Sequence, residues 1–426
     1  MLIIDHIERP GPEITIYAFK KIMKTLSLVC RFFRAVCQPR MFETIVLCED
    51  SQTQDIRHVK MRRRWCRLLA SGDQESNALA NLVRSCTLAA CDSVPALYRR
   101  AVKLHDSFKP LLTAIPSFRS LESFTLRSFH LSVPLFETLT KLPNLTSVTI
   151  CDCPAALDQL DSFSPTETCN WSSLSVEHCD IEPFVPIVSQ LVSRSDLRRL
   201  VTDNPQLLDA ILENDQIFAI EELHITVPPQ HPFLIRHLER CPSVTSLVLQ
   251  CPFCEPLTLG PFMDTVLPCL RSIASYPDTI RQFLGPRPIT KVTILDFPSR
   301  VADVITPLVI PIFELLPTLK TKVLELSLPL RVIRKPEIEA PLALPDVPKL
   351  TLVWYNFEIA QLLSWFIVSG ISLQRSAYLV SAILRSAASS ERLSAGDCRT
   401  SMHCTRLRYQ RRYGVISVHI FTSFHH

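Results

Sequence analysis

Chemistry in a chain of 426 residues would have to come from a few clusters of ligating or titratable side chains. Cys251-Pro252-Phe253-Cys254 is a Cys-x-x-Cys with Cys241 ten residues upstream. A structural zinc centre needs four ligands at workable spacing. No second Cys-x-x-Cys follows, no histidine pair lies at a finger-like distance from it, and Cys151-Asp152-Cys153 is equally solitary. None of the twelve histidines has a second histidine four residues on, as a metalloprotease helix requires. Glu221-Glu222 lies in a strand-like stretch and reads as a spacer and a surface residue, not an acid/base pair. No sequence feature singles out one Cys–His pair as a nucleophile and base. The expectation is a chain without catalytic residues, without a metal and without a cofactor.

Glycine usage excludes phosphate chemistry. The seven glycines (Gly11, Gly72, Gly260, Gly285, Gly370, Gly396 and Gly414) are scattered, whereas a phosphate-cradling loop needs them clustered so that backbone N–H groups can approach an anion. A Gly-x-Ser-x-Gly elbow is also absent. The net charge of +4 gives no reason to expect nucleic acid or an anionic membrane as partner. The basic run Arg57, Lys60, Arg62, Arg63, Arg64, Arg67 reads as the solvated face of a connecting helix whose buried side is Trp65, Leu68 and Leu69. The stretch 359–373 is too short to span a bilayer and holds Gln361. The first ten residues are charged by Asp5 and lack the apolar core of a secretory signal, which points to a reducing compartment, cytoplasmic or nuclear. The 16 cysteines then read as small buried thiols, and the sequons at Asn144 and Asn170 as chance matches.

The elements that could position a site repeat along the chain. One pattern, apolar-x-x-apolar-x-apolar, recurs as Leu121/Phe124/Leu126, Leu145/Val148/Ile150, Trp171/Leu174/Val176, Ile220/Leu223/Ile225, Val244/Leu247/Leu249 and Ile289/Val292/Ile294. Weaker copies start at Val83, Leu197, Leu270, Leu319 and Leu350. The last apolar positions of each copy alternate with polar ones, the period of a strand. Amphipathic runs lie between copies: Phe184 to Val192, Leu207 to Leu212 with Asn204 as N-cap and Pro205 at the first helical position, and Val301 to Leu316. A strand and a helix in each repeat predict an α/β solenoid, in which no unit buries its apolar face alone. The pattern resembles an irregular leucine-rich repeat, with Cys153 and Cys179 at the family's Asn/Cys position and Pro228, Pro252 or Phe297 in other copies.

The N-terminus carries a second resemblance. Leu26-Ser27-Leu28-Val29-Cys30-Arg31-Phe32-Phe33-Arg34-Ala35-Val36 reads as one dense helical segment, and Leu-Val-Cys-Arg followed by an aromatic is similar to the F-box. Leu2-Ile3-Ile4-Asp5-His6-Ile7 resembles the F-box's first helix. Pro39 to Leu47 resembles the strand leading out of the module in fungal F-box proteins, and Leu79 to Leu88 their first repeat. The usual Leu-Pro-x-Glu opening is missing, and some 20 residues separate Asp5 from Leu26. The resemblance implies that Leu2, Ile3, Ile7, Leu26, Leu28, Val29 and Phe33 enter a groove on a Skp-type adaptor. On a single helix Leu26, Val29 and Phe33 would share a face. The plainer alternative is that these residues cap the repeats.

Together these readings give an α/β chain: an F-box-like helical module (1–48), a linker and connecting helix (49–78), a leucine-rich-repeat-like solenoid (79–357) and an atypical tail (358–426) that reads as disordered or as out-of-frame translation. The tail has no lysine; residues 371–426 hold eight arginines against Glu391 and Asp397, a net of +6, and read as aperiodic. The resemblance implies a non-catalytic substrate receptor of a cullin–RING ubiquitin ligase, with the adaptor and an unidentified protein target as partners. The alternative is a ligase-independent solenoid scaffold for protein–protein interaction. In each copy the residues between the apolar positions face outward on the concave side. The expected target-facing set is Arg127, Thr149, Glu177, Glu222, His224, Gln250 and Lys291.

Overall fold

A computed structural model describes residues 16–49, 64–90, 112–129, 131–155, 169–192, 196–213, 218–228, 231–251, 265–285, 287–295, 312, 315–316, 323–329, 349–354, 406–410 and 415–421. The chain is α/β and divides into two units, Met1–Thr226 and Val227–His426.

The first unit opens with a helical hairpin, α1 (Ile16–Ser27) packed on α2 (Arg31–Glu43). The sequence pattern predicts one continuous helix across Leu26–Val36; the structure breaks it at residues 28–30. Leu28 and Val29 close α1 with short turns, their N–H groups donating to the Thr25 and Leu26 carbonyls, and Ser27 Oγ donates to Lys24 O at 2.7 Å. Cys30 is fully extended (φ −159°, ψ 169°) and its carbonyl accepts the first bond of α2, from Arg34 N–H. A hydroxyl that competes for helix carbonyls, followed by a β-branched residue, favours such a stop. Pro39 lies inside α2 and not on an exit strand as expected. The strand begins only at Thr44.

That strand, β1 (Thr44–Glu49), is the first of seven parallel strands in chain order: β2 (Ser85–Ala90), β3 (Ser123–Arg127), β4 (Ser147–Cys151), β5 (Ser173–Glu177), β6 (Arg199–Thr202) and β7 (Glu222–Thr226). The sheet thus starts within the segment read as the N-terminal module. Between β1 and β2 run α3 (64–70) and α4 (Gln74–Ala80). Gly72 takes φ 79° after α3, so that its N–H reaches Leu69 O and the Asp73 N–H reaches Leu68 O, a Schellman close. The Asp73 carboxylate then caps α4 by accepting Ser76 N–H at 2.8 Å. In α3, Cys66 and Leu69 are buried and Trp65 lies on Phe42 and Phe118, with Arg64 and Arg67 in solvent; Leu68, expected inside, is exposed. Arg57, Lys60, Arg62 and Arg63 lie outside the described residues.

Register explains the spacing. Leu88, Leu126, Ile150, Val176 and Thr202 form one inward row, and Cys86, Phe124, Val148, Leu174 and Leu200 another, all buried. The first apolar residue of each copy, Leu121, Leu145, Trp171, Leu197 and Ile220, fills the turn that enters the strand and is buried too. Helices α5 (Val133–Thr140), α6 (Val185–Val192) and α7 (Pro205–Leu212) contribute their apolar faces to the core. The Phe136 ring meets that of Phe184 at 5.5 Å. The expected start of α7 holds: Asn204 Oδ1 accepts Leu207 N–H at 2.8 Å, with Pro205 next. Backbone bonds link the residue before each strand to its predecessor, from Arg84 through Glu122, Thr146, Ser172 and Arg198 to Glu221.

The second unit holds β8 (Ser246–Gln250), β9 (Ser272–Ser275), β10 (Lys291–Ile294), β11 (Glu325–Pro329) and β12 (Lys349–Trp354), parallel and in chain order, with α8 (Leu234–Glu239) and α9 (Pro277–Phe283). Two copies shift from their expected starts. The chain enters β11 at buried Val323, not Leu319, and Leu350 pairs with Leu326, which makes it the second apolar position of its copy. A run such as Leu316–Leu326 offers several frames to a three-position pattern, and strand pairing selects one. Most of the expected helix 301–316 lies outside the described residues. Within the segment set apart as a tail, β13 (Arg406–Gln410) and β14 (Val415–Phe421) form an antiparallel hairpin, and β14 pairs antiparallel with β12. Its Ile416-Ser417-Val418-His419-Ile420 alternates with the strand period, a signal that the sequence reading missed.

Candidate functional site

Three surfaces gather the chemistry of the described residues. The first is the head of the helical hairpin. Breaking the helix at Cys30 presents Leu28 and Val29 on the connection, 79% and 66% exposed; Ile22 of α1 and Phe32 at the start of α2 are 44% and 60% exposed. Phe33 is half-buried, its ring edge-on to Phe32 at 5.8 Å, and Leu26 is half-buried. Leu26, Val29 and Phe33 therefore do not lie along one helical face; they belong to two helices and the turn between them. The residues that hold the hairpin in place are different ones, Met23 and Cys37, fully buried, with Lys20 Nζ donating to Thr44 O at 2.7 Å. Leu2, Ile3 and Ile7 lie outside the described residues. Sequence reasoning missed Ile22 and Phe32, because only the turn tells which side of each helix is left uncovered.

The second surface is the outward face of the parallel strands. Thr125, Thr149 and Ser175 form one row, continued by Val201 and His224, and Ser123, Ser147, Ser173, Arg199 and Glu222 form another. Thr149, Glu177, Glu222 and His224 thus stand on one face of the first unit, as expected, with Arg127 at the end of β3. Arg199 pairs with Glu222 at 3.4 Å across neighbouring strands, and Arg198 with Glu221 at 3.5 Å. Exposed pairs of this kind contribute about 1 kcal/mol at most. Burial lowers the His224 pKa below the ordinary imidazole value; Glu177 and Asp203 oppose the shift and Arg199 adds to it. Val201 departs from the outward pattern by being buried. Arg199 and Val201 were not in the expected set, since the copy at Leu197 lacks a third apolar residue to mark its strand. Gln250 and Lys291 hold the outward positions of β8 and β10 in the second unit, with Lys291 Nζ 3.4 Å from Glu325 Oε2.

The third surface lies where β3, β4 and β5 end. The residue after each strand is left-handed: Ser128 (φ 59°), Asp152 (φ 55°) and His178 (φ 54°). The turn sends the next residue inward. Cys153 and Cys179 fill that place; their thiols donate to Cys151 O at 3.2 Å and Glu177 O at 3.1 Å. The Asn/Cys position of the repeat pattern thus bonds the strand-end carbonyls. On the outer side, Cys151 Sγ donates to Asp152 Oδ2 at 3.4 Å, Arg127 Nε stands 3.5 Å from the same oxygen, and Asp203 Oδ2 accepts the His178 N–H at 2.7 Å and lies 3.7 Å from His178 Nε2.

The thiols with shifted pKa are all shifted up. Burial raises Cys37, Cys66 to about 11, and Cys86 and Cys241 to about 12. Burial and then the Asp152 carboxylate push Cys151 to about 12, and the neighbouring Cys153 thiol, followed by burial, holds Cys179 far above its ordinary value. An activated thiol needs the opposite shift. Cys251 is buried, and Cys254 lies outside the described residues. Glu221 and Glu222 are both exposed and each faces an arginine. No helix among the described residues is long and apolar enough to cross a membrane. No protein-family model and no curated protein matches the chain.

Proposed function

We propose that this chain is a non-catalytic substrate receptor whose N-terminal hairpin docks on a Skp-type adaptor of a cullin–RING ubiquitin ligase, in the cytoplasm or nucleus, and whose strands form a leucine-rich-repeat solenoid that presents a protein target. The observation that carries the reading is the exposed cluster of Ile22, Leu28, Val29 and Phe32. A hairpin serving only to cap the sheet would turn its apolar residues inward. Here Met23 and Cys37 do that, while four large apolar side chains stay in water. Large apolar side chains left exposed around one turn point to an interaction site. Leu28, Val29 and Phe32 fall on the Leu-Val-Cys-Arg-aromatic stretch that resembles the F-box. The solenoid is supported by parallel strands in unbroken chain order within each unit, with one apolar-x-x-apolar-x-apolar copy for most strands. Such a receptor acts by raising the local concentration of a target beside the ligase.

The test is capture of a Skp-type adaptor co-expressed with the full chain and with a Leu28→Asp/Val29→Asp variant. Both positions are exposed, so the variant keeps its fold. A carboxylate in a desolvated apolar contact costs several kcal/mol, on the order of a hundredfold or more in affinity. Capture by the native chain and its loss in the variant is the expected pair of results. Equal capture by both, with the variant's melting unchanged, refutes the docking assignment. Failure of the native chain to capture any adaptor leaves the ligase-independent scaffold as the better reading.

A further inference from the structure

We propose that Cys151, Asp152 and His178 form a three-ligand site for a zinc-type divalent cation where β4 and β5 end. One ligand atom from each residue lies within 4.8 Å of the others. Tetrahedral zinc, with bonds of about 2.0 to 2.3 Å, sets its ligand atoms about 3.3 to 3.7 Å apart. Cys151 Sγ and Asp152 Oδ2, 3.4 Å apart, already stand at that spacing, with a thiol proton where the cation would sit. Zinc takes the place of that proton, which leaves to solvent, and forms bonds to sulfur, carboxylate oxygen and imidazole nitrogen.

The backbone builds this arrangement. Cys151 ends β4 beside Glu177, the last residue of β5, so the two strand exits run side by side. Asp152 and His178 are the next residues of each copy, and both are left-handed. Aspartate and histidine are both among the side chains enriched in that conformation, which Ser128 also takes after β3. Charged neighbours stand behind two of the ligands, where outer-shell groups orient a metal site. Arg127 Nε stands 3.5 Å from the Asp152 carboxylate, and the Asp203 carboxylate, which accepts the His178 backbone N–H at 2.7 Å, lies 3.7 Å from His178 Nε2. Sulfur, nitrogen and oxygen donors together select zinc over magnesium or calcium. Three protein ligands leave the fourth position open to water or to a partner's side chain, on the face read above as target-facing. The site does not depend on adaptor docking.

Cobalt(II) is the probe. Titrated into the full-length, metal-free chain, one equivalent should give the near-ultraviolet charge-transfer absorption of a cobalt–thiolate bond and the visible bands of a four-coordinate ion, both bleached by zinc. Cys151→Ser should abolish the charge-transfer band. Asp152→Asn, a residue that keeps the left-handed turn, and His178→Ala on an exposed turn should each weaken zinc at least about tenfold in chelator competition. Cys269→Ser, which alters an exposed cysteine elsewhere, should change nothing. Absence of the thiolate band, its survival in Cys151→Ser, or unaltered zinc affinity in both Asp152→Asn and His178→Ala overturns the assignment.

Discussion

Replacing Leu174 by alanine tests the packing logic on which every outward position depends. Leu174 is fully buried, between Val148 on β4 and Leu200 on β6 in the same inward row, and neither neighbour is exposed. Removing its three terminal carbons forfeits their transfer free energy. It also leaves a cavity that two rigid strands cannot close, for a cost of about 2 to 5 kcal/mol. In a unit of 226 residues each kcal/mol lowers the melting temperature by about 2 to 4 °C, so a loss on the order of 10 °C is expected. The neighbouring outward residue gives the contrast. Ser175 is only half-buried, between Thr149 and Val201, and Ser175→Ala should change stability by no more than about 0.5 kcal/mol. Thermal unfolding of the full chain, followed by circular dichroism, reads both variants. A one-residue slip would exchange the two faces. Equal effects, or the larger loss from Ser175→Ala, would refute the register and with it the assignment of Thr149, Glu177 and His224 to the outer surface.

Other perturbations reach separate links in the argument. Asn204→Ala removes the acceptor of the Leu207 N–H at the start of α7 and should cost about 1 kcal/mol, seen as a lower denaturation midpoint; an unchanged midpoint would mean the cap does not hold the helix. Because burial lowers the His224 pKa, its contribution to stability is full above the ordinary imidazole value of about 6.5 and is lost as pH falls from there through the lowered value. His224→Gln should flatten that part of the stability–pH curve, and an identical curve would assign the acid sensitivity elsewhere. The triple variant Glu177→Arg/Glu222→Arg/His224→Glu should keep adaptor capture and lose target capture in affinity purification; an unchanged set of captured targets would place recognition off this face. Deleting residues 406–426 removes the hairpin that covers the free edge of β12 and should produce concentration-dependent self-association, measurable by light scattering; a monodisperse truncated chain would show that the edge needs no cover.

The period of the repeat was legible in the chain because strand alternation is local. Each apolar-x-x-apolar-x-apolar copy carries its own instruction for what turns inward, and Leu121 through Ile225 obey it. The cap at Asn204 was equally readable, since its bond spans three residues. Frame was not always readable: around Leu319 and Leu350 several apolar residues satisfy the pattern, and pairing with the neighbouring strand decides among them. The break at Cys30 was hidden because Leu26, Val29 and Phe33 fit a helical period across it. Only the packing of α1 on α2 determines that Met23 and Cys37 go inside and that Leu28 and Val29 remain in water. Cys151, Asp152 and His178 are the clearest case. Asp152 and His178 stand 26 residues apart and share no motif. They become neighbours because two copies of similar length end their strands in register and turn left-handed at the same step. Proximity of that kind is a property of the sheet, which the chain specifies only once all its strands are laid side by side.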